Sequence, residues 1–429
     1  MKIFSEKKFH YTLIGILAIL VFSQIAFAQN KSTLTLSDAV QIALKNNREI
    51  AILQKDIEKA KGEKKAASRI FQHNPEIAGE VKNRRSGNQN IRDFEFSLSQ
   101  SVGIGRQRHY RMKIAELYLL KAQFQLENEK FTIAEKIKGI FIDLTALNEK
   151  LQAVQDILEV EEGLFQWLTI RSAQGEISSV ALNTVGLEVL RTKEKLLDIH
   201  RAILSKKRGL EWVMNTSLPE GREIVYGWPE FPANIPREEL ERYAEEHNPD
   251  VKIALVDSRI AEASLKLAKA GHVIPGLSFS FIRSREDNDN LIGFGSSLPL
   301  PLFNRRTGEI TTAKAEKERA TLELKRIHEK IFSEINRYCE SSTILEQQRK
   351  LFVEKILPIP QHNLDQIKMR YQRGELDLMT LERFWDSWIE TKIEYAEFLQ
   401  QYYHMLCRIE LLSGAELKKI VKKYEPKEQ

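Results

Sequence analysis

LIGFGSSLPLPLFNRRTGEI, residues Leu291 to Ile310, decides the fold. Its first half places Ile292, Phe294, Leu298, Leu300 and Leu302 on one face and Gly293, Gly295 and Ser297 on the other, with only Ser296 breaking the apolar side. That is the period of a strand with one apolar face. Pro299 and Pro301 cannot donate to a ladder, so they mark its end. Asn304 then offers a helix cap, and a long charged helical pattern follows. The same succession of strand and very long helix begins earlier, at Phe94 in FEFSLSQSVGIGRQR.

The two occurrences belong to a tandem duplication. Asn47-Arg48-Glu49-Ile50 aligns with Asn248-Pro249-Asp250-Val251, Pro75 with Pro275, and Ser97-Leu98 with Ser297-Leu298. Arg171 to Glu176, RSAQGE, aligns with Arg370 to Glu375, RYQRGE. The first repeat spans 29–215 with a hairpin near 75–102, and the second spans 237–415 with a hairpin near 275–302. The proline-rich stretch 216–236 links them, and 416–429 is a charged tail.

Each repeat has the same parts. Leu36 to Asn46 is an amphipathic helix, and a second helix from Glu49 to about Phe71 leads into the hairpin. Ile77, Gly79 and Val81 oppose Glu76, Ala78 and Glu80; Phe94, Phe96 and Leu98 oppose Asp93, Glu95 and Ser97. The polar stretches RRSGNQN (84–90) and REDNDN (285–290) read as the hairpin loops. From Arg106 to Arg171 there is no proline, and Ile137, Leu144, Leu151, Leu158 and Phe165 share one heptad position. Ile140, Leu147, Val154 and Leu168 take the other, with Glu161 the exception, which predicts a coiled-coil seam. A return helix runs from Ser178 or Ser179 to about Val213. The second copy runs from Asn304 to Arg373, interrupted at Pro358 and Pro360, and returns from Asp377 to Leu412.

The 429 residues are 42% apolar, enough for a sizeable core, and the net charge of +5 is spread along the chain, so nucleic acid gains no support as a partner. Lys2, Lys7 and Lys8 precede an apolar run, Thr12 to Ala28, that reads as an export signal (1–28) cut after Ala28; an uncleaved anchor is the alternative. Cys339 and Cys407 suggest no disulfide framework. No Cys-x-x-Cys, His-Glu-x-x-His or G-x-S-x-G is present, His272 and His362 read as junction residues, and Trp385 and Trp388 as packing, so neither cofactor, metal nor catalysis is expected. Four strands with one apolar face cannot close a barrel alone, and open edges are not tolerated in lipid, so several chains must pool strands. Phe94, Phe96, Phe279, Phe281 and Phe294 suit lipid; the opposite faces suit a water-filled lumen. A soluble exported protein with hairpins packed on helices is the plainer reading.

This doubled plan, with LTLSDAVQIALKNNREI near the mature start, resembles the TolC-like outer-membrane efflux family. SLPLPLFNRRTGEI resembles the outer-membrane subunits of cobalt–zinc–cadmium-type resistance-nodulation-division pumps; Ile356-Leu357-Pro358 and Arg370-Tyr371 before Gly374 also fit. The resemblance implies an α+β membrane protein: a homotrimer whose protomers each give four strands to a twelve-stranded outer-membrane barrel, continuous with a periplasmic helical tunnel. It implies partners, a periplasmic adaptor and an inner-membrane pump. It also implies a passive exit duct, with heavy-metal cations as cargo. By position, Arg171, Gly175, Arg370, Tyr371, Gly374, Glu375 and Asp377 would carry docking and gating at the mouth. Some relatives line the mouth with acidic residues, whereas Thr380 and Arg383 follow here. The exit duct of a type I secretion system, or a non-porous envelope-spanning coiled coil, are the alternatives.

Overall fold

The computed structural model describes residues 33–422, apart from 87–88, 104–105, 220–221, 233–235, 274–275, 287–288, 300–302, 304 and 362–363. The expected export signal, the end of the charged tail, the cap at Asn304, and His362 lie outside the described residues. In chain order the elements are β1 (Thr33–Leu34), α1 (Leu36–Asn46), α2 (Arg48–Ala67), β2 (Glu76–Ser86), β3 (Gln89–Val102), α3 (Gln107–Ala173) and α4 (Ser179–Met214). Then follow β4 (Glu223–Ile224), α5 (Arg237–His247), α6 (Pro249–Val273), β5 (Leu277–Glu286), β6 (Asp289–Ser297) and α7 (Thr307–Leu351). A π-helical turn (Phe352–Ile356), α8 (Pro358–Gln361), α9 (Leu364–Gln372), α10 (Leu378–Ser413) and α11 (Leu417–Lys422) complete the chain.

The duplication reaches individual hydrogen bonds. Asn47 caps α2 by accepting from the Glu49 amide at 2.8 Å, and its Nδ2 donates to the Val213 carbonyl at 3.0 Å. Asn248 does the same for α6, accepting from the Asp250 and Val251 amides at 2.8 and 3.1 Å and donating to the Leu412 carbonyl at 2.7 Å. In each repeat one asparagine thereby starts a helix and ties it to the end of the return helix. Glu211 and Glu410 are likewise equivalent, accepting from the Leu218 and Leu417 amides. Both return helices end on a left-handed residue, Asn215 and Gly414. At Gly414 any Cβ would lie 2.7 Å from the His247 backbone, so the close approach as well as the φ of +70° requires glycine.

No helix among the described residues is long and apolar enough to cross a membrane. A four-stranded antiparallel sheet of order β2-β3-β5-β6 carries one exposed apolar face. Phe94 opposes Val81, Leu98 opposes Ile77 and Phe281, and Phe281 opposes Phe294. Side chains paired across a ladder share a face. Phe94, Phe96, Phe279, Phe281 and Phe294 therefore all stand on one side. They have no cover: Phe294 is 85% exposed and Ile292 67%. β6 stops at Ser297, two residues before Pro299, as a strand lacking further donors must.

The helices form layers that are likewise open at their sides. α3 lies beside α2 and α6 toward the sheet, and between α4 and α10 in its other half, with α7 beyond α10. Its 67 residues span about 100 Å. Midway, Asp143 joins three helices: Lys206 of α4 donates to it at 2.7 Å, and Gln400 and His404 of α10 hydrogen-bond it at 2.6 and 2.7 Å. Burial pushes this carboxyl up, but those three hydrogen bonds outweigh it and hold the group down at about 2.

Four expectations need correction. The polar stretches 84–90 and 285–290 are largely strand: the ladders run on to Ser86↔Gln89 and Glu286↔Asp289, because backbone pairing continues regardless of side-chain polarity. α2 ends at Ala67, not Phe71. α7 begins at Thr307, three residues beyond Asn304, after a left-handed Arg306 that makes no side-chain cap bond. The seam is also shifted. Ile137, Phe141, Leu144, Val154, Ile157, Glu161, Leu164 and Leu168 are buried, while Leu151, Leu158 and Phe165 are only half-buried. A helix flanked on two sides buries a broad stripe rather than one two-stranded seam. The break expected at Pro358 takes the form of the π turn, in which the Leu357 amide bonds back to the Phe352 carbonyl at 2.9 Å.

Asn248→Ala removes the donor to Leu412 and the acceptor for two amides, in a side chain only 3% exposed. It should cost about 1–3 kcal/mol. An unchanged denaturation midpoint would show that the tie does not hold the second repeat together.

Candidate functional site

The seven residues expected at the mouth lie on two helix turns built alike. At the end of α3 the Glu176 amide donates to the Arg171 carbonyl at 3.1 Å and the Gly175 amide to Ser172 at 3.0 Å. At the end of α9 the Glu375 amide donates to the Arg370 carbonyl at 2.9 Å and the Gly374 amide to Tyr371 at 2.9 Å. This double bond pattern is the Schellman closure, and it requires a left-handed residue. Gly175 and Gly374 supply it, with φ of +76° and +78°. Each chain then turns directly into its return helix. Ser178 Oγ accepts from the Val180 amide at 3.1 Å, and Asp377 accepts from the Thr380 amide at 2.9 Å and from its hydroxyl at 2.8 Å.

The two turns meet. Tyr371 sets its ring edge-on to Trp167 at 6.2 Å between centroids, and Arg171 lies over the same indole at 5.4 Å. Arg171 also pairs with Glu176. Tyr371 is half-buried, and burial, with Glu382 nearby, pushes its hydroxyl up. Arg370, Gly374, Glu375 and Asp377 are exposed on the surface of the second turn. Beneath both turns lies one apolar cluster, with Leu164, Leu168, Val185, Leu381, Trp385 and Trp388 buried. The two tryptophans are packing residues, as expected, although neither indole nitrogen has a hydrogen-bond partner.

The exception in the heptad is the residue that sequence reasoning undervalued. Glu161 is 4% exposed inside the bundle. Burial pushes its carboxyl up to about 7, against a hydrogen bond from Thr192, and the carboxylates of Glu188 and Asp386 add to the rise. Its Oε2 has no partner. Glu382, one turn of α10 from Asp386, is raised for the same reasons. The only signal in the sequence was the interruption of an apolar repeat by one carboxylate.

A carboxyl raised in the fold favours the protonated state. Its stabilising contribution is complete below the ordinary value of 4.5 and is lost as pH climbs through about 7. Glu161→Gln, which imitates the protonated form, should leave thermal stability nearly unchanged at pH 5 and raise it at pH 8, by up to ~3 kcal/mol. An equal shift at both pH values would mean that Glu161 is not titrating there.

No protein-family model matches the chain. It is 21% identical over 390 residues to the cobalt-zinc-cadmium resistance protein CzcC of Cupriavidus metallidurans, covering 89% of this chain and 90% of that one. Among solved structures, a membrane protein from Pseudomonas aeruginosa superposes with a TM-score of 0.78 at 17% identity, over 90% of this chain and 91% of the other. The Campylobacter jejuni CmeC outer membrane channel superposes with a TM-score of 0.72 at 15% identity, over 90% and 88%. The likeness runs through sheet and helices together, and the fold of this chain is that of the TolC-like outer-membrane channels.

Proposed function

We propose that the chain is the outer-membrane exit duct of a tripartite efflux system. One observation carries this reading: a four-stranded sheet with a bare apolar face and two open edges is joined to helical layers that are open in the same way. Lipid covers the phenylalanine face, and copies of the chain close the edges. Three copies give a twelve-stranded barrel, with β6 of one protomer against β2 of the next. On α4 an exposed stripe of Leu187, Leu190, Leu197 and Leu204 recurs at heptad spacing, as an interface with a neighbouring copy would require. The helices then extend as a tunnel into the periplasm, and the paired turns at Gly175 and Gly374 form its mouth. A periplasmic adaptor docks there, and an inner-membrane pump of the resistance-nodulation-division type supplies the energy. Transport through the duct is passive. The similarity to CzcC makes heavy-metal cations the cargo proposed here.

The purified chain should form conducting trimers in planar lipid bilayers. Tyr371→Ala, which removes the ring between the two turns, should raise single-channel conductance without lowering the amount of trimer. Wild-type conductance in this variant would place the constriction elsewhere, and no conductance from any variant would remove the duct.

The two faces of the sheet should also differ in tolerance. Phe281→Lys puts a charge on the lipid side and should cost roughly 2–4 kcal/mol if it lies near the midplane. Glu95→Gln, on the lumen side beside Lys82, should insert normally and alter only ion preference. Equal recovery of the two variants from outer membranes would reverse the assignment of faces.

A further inference from the structure

The charged residues of the sheet are sorted by face. Register places all six carboxylates of the described strands, Glu76, Glu80, Asp93, Glu95, Glu286 and Asp289, opposite the phenylalanines. Lys82 and Arg84 lie among them, Lys82 paired with Glu80 and Glu95, and Arg84 with Asp93. The other four cations, Arg85, Arg92, Arg283 and Arg285, stand on the phenylalanine face and are exposed. Among the described strand residues that face holds no carboxylate.

The four arginines form one stripe toward the hairpin tips. Arg283 opposes Phe96 and Ile292, and Arg285, two residues on, opposes Phe94 and Asn290. Arg92 is diagonal to Arg285, and Arg85 is diagonal to Arg92. Diagonal neighbours stand about 7–8 Å apart, and like charges brought close on one face are destabilising without a counter-ion. Among the described residues, a neighbouring copy supplies none on this face. The β6 that would flank β2 presents Asn290, Ile292, Phe294 and Ser296 there.

Position supplies the rest. The long helices leave the sheet at the end away from the tips, so Ile77, Leu98, Phe279, Phe281 and Phe294 lie between the helices and the arginine stripe, whose inner end is level with Phe96 and Ile292. Cations placed where acyl chains give way to headgroups face whatever charge the headgroups carry, and guanidinium matches phosphate with two parallel hydrogen bonds. The stripe runs roughly 20 Å, one step along β5 and two diagonal steps, and is too long for one phosphate. We infer that it binds the headgroups of lipids bearing more than one phosphate, in the leaflet at the hairpin end. The inference rests on the sheet being the lipid-facing wall proposed above.

The test is lipid retention by the full chain in neutral detergent, read by native mass spectrometry, with bis-phosphorylated lipid A and its dephosphorylated form as probes. The phosphorylated lipid should be retained roughly tenfold more strongly, in the presence of millimolar inorganic phosphate, and the triple variant R92Q/R283Q/R285Q should lose that preference. Arg84→Gln, on the other face, should keep it. Equal retention of the two lipids by the wild-type chain overturns the inference and needs no variant. Displacement by inorganic phosphate alone also overturns it, since the stripe would then be a general anion site. Conductance in neutral-lipid bilayers is recorded alongside. Conductance without phosphate-dependent retention removes the stripe and leaves the duct, whereas failure to insert removes both.

Discussion

An antiparallel sheet that ends in two open edges cannot stay that way in a membrane. The outward amides and carbonyls of β2 and β6 need partners, lipid supplies none, and the other described strands, β1 and β4, pair with each other. The helical layers repeat the condition in water: α4 keeps an apolar stripe exposed on the side away from α3. On the proposed reading both parts of the chain are segments of a closed wall, and the chain's own fold consists mainly in setting the curvature and spacing of that segment. The hydrogen bonds from Asn47 and Asn248 do much of this, because each fixes where a helix leading into the sheet begins relative to the end of the hairpin that hangs below.

How much of this was legible in the sequence depended on the kind of signal. Strand alternation placed all five phenylalanines on one face, as the ladder does, since a period of two leaves only two choices. Proline and glycine were equally direct: Pro299 stopped a strand, and Gly175 and Gly374 turned helices, because their constraints are local. The errors came where neighbours decide. The heptad at Leu151, Leu158 and Phe165 assumed one partner helix, but α3 has different partners above and below and on two sides. Polar residues at 84–90 and 285–290 were read as loop although side-chain polarity does not end a ladder. At the two helix turns, the glycines were legible, while the ring contact between Trp167 and Tyr371 joins residues far apart in sequence and could not be.

The two repeats are equivalent at their caps but not along their lengths. α3 is continuous for 67 residues, whereas the corresponding stretch of the second repeat passes through a π turn and two short helices before its turn. Pro358 accounts for this. It cannot donate an amide, and its ring would collide with the carbonyl one turn back, so the helix widens just before it. A wall of alternating hairpins would then alternate between an unbroken and an interrupted helix, and resistance to bending would be unequal around it.

The helix turns at Gly175 and Gly374 are each closed by backbone hydrogen bonds and one left-handed glycine, with Arg171 and Arg370 entering that closure through their carbonyls. The bend at each glycine is therefore nearly independent of the exposed side chains beside it, while Ser178 and Asp377 cap the helices that follow. Residues there can be exchanged over evolutionary time without refolding the hairpin, much as a key blank accepts different cuts. Descendants of one such chain can thus acquire new contacts at the tip while the glycine and the length of the helix stay as they are.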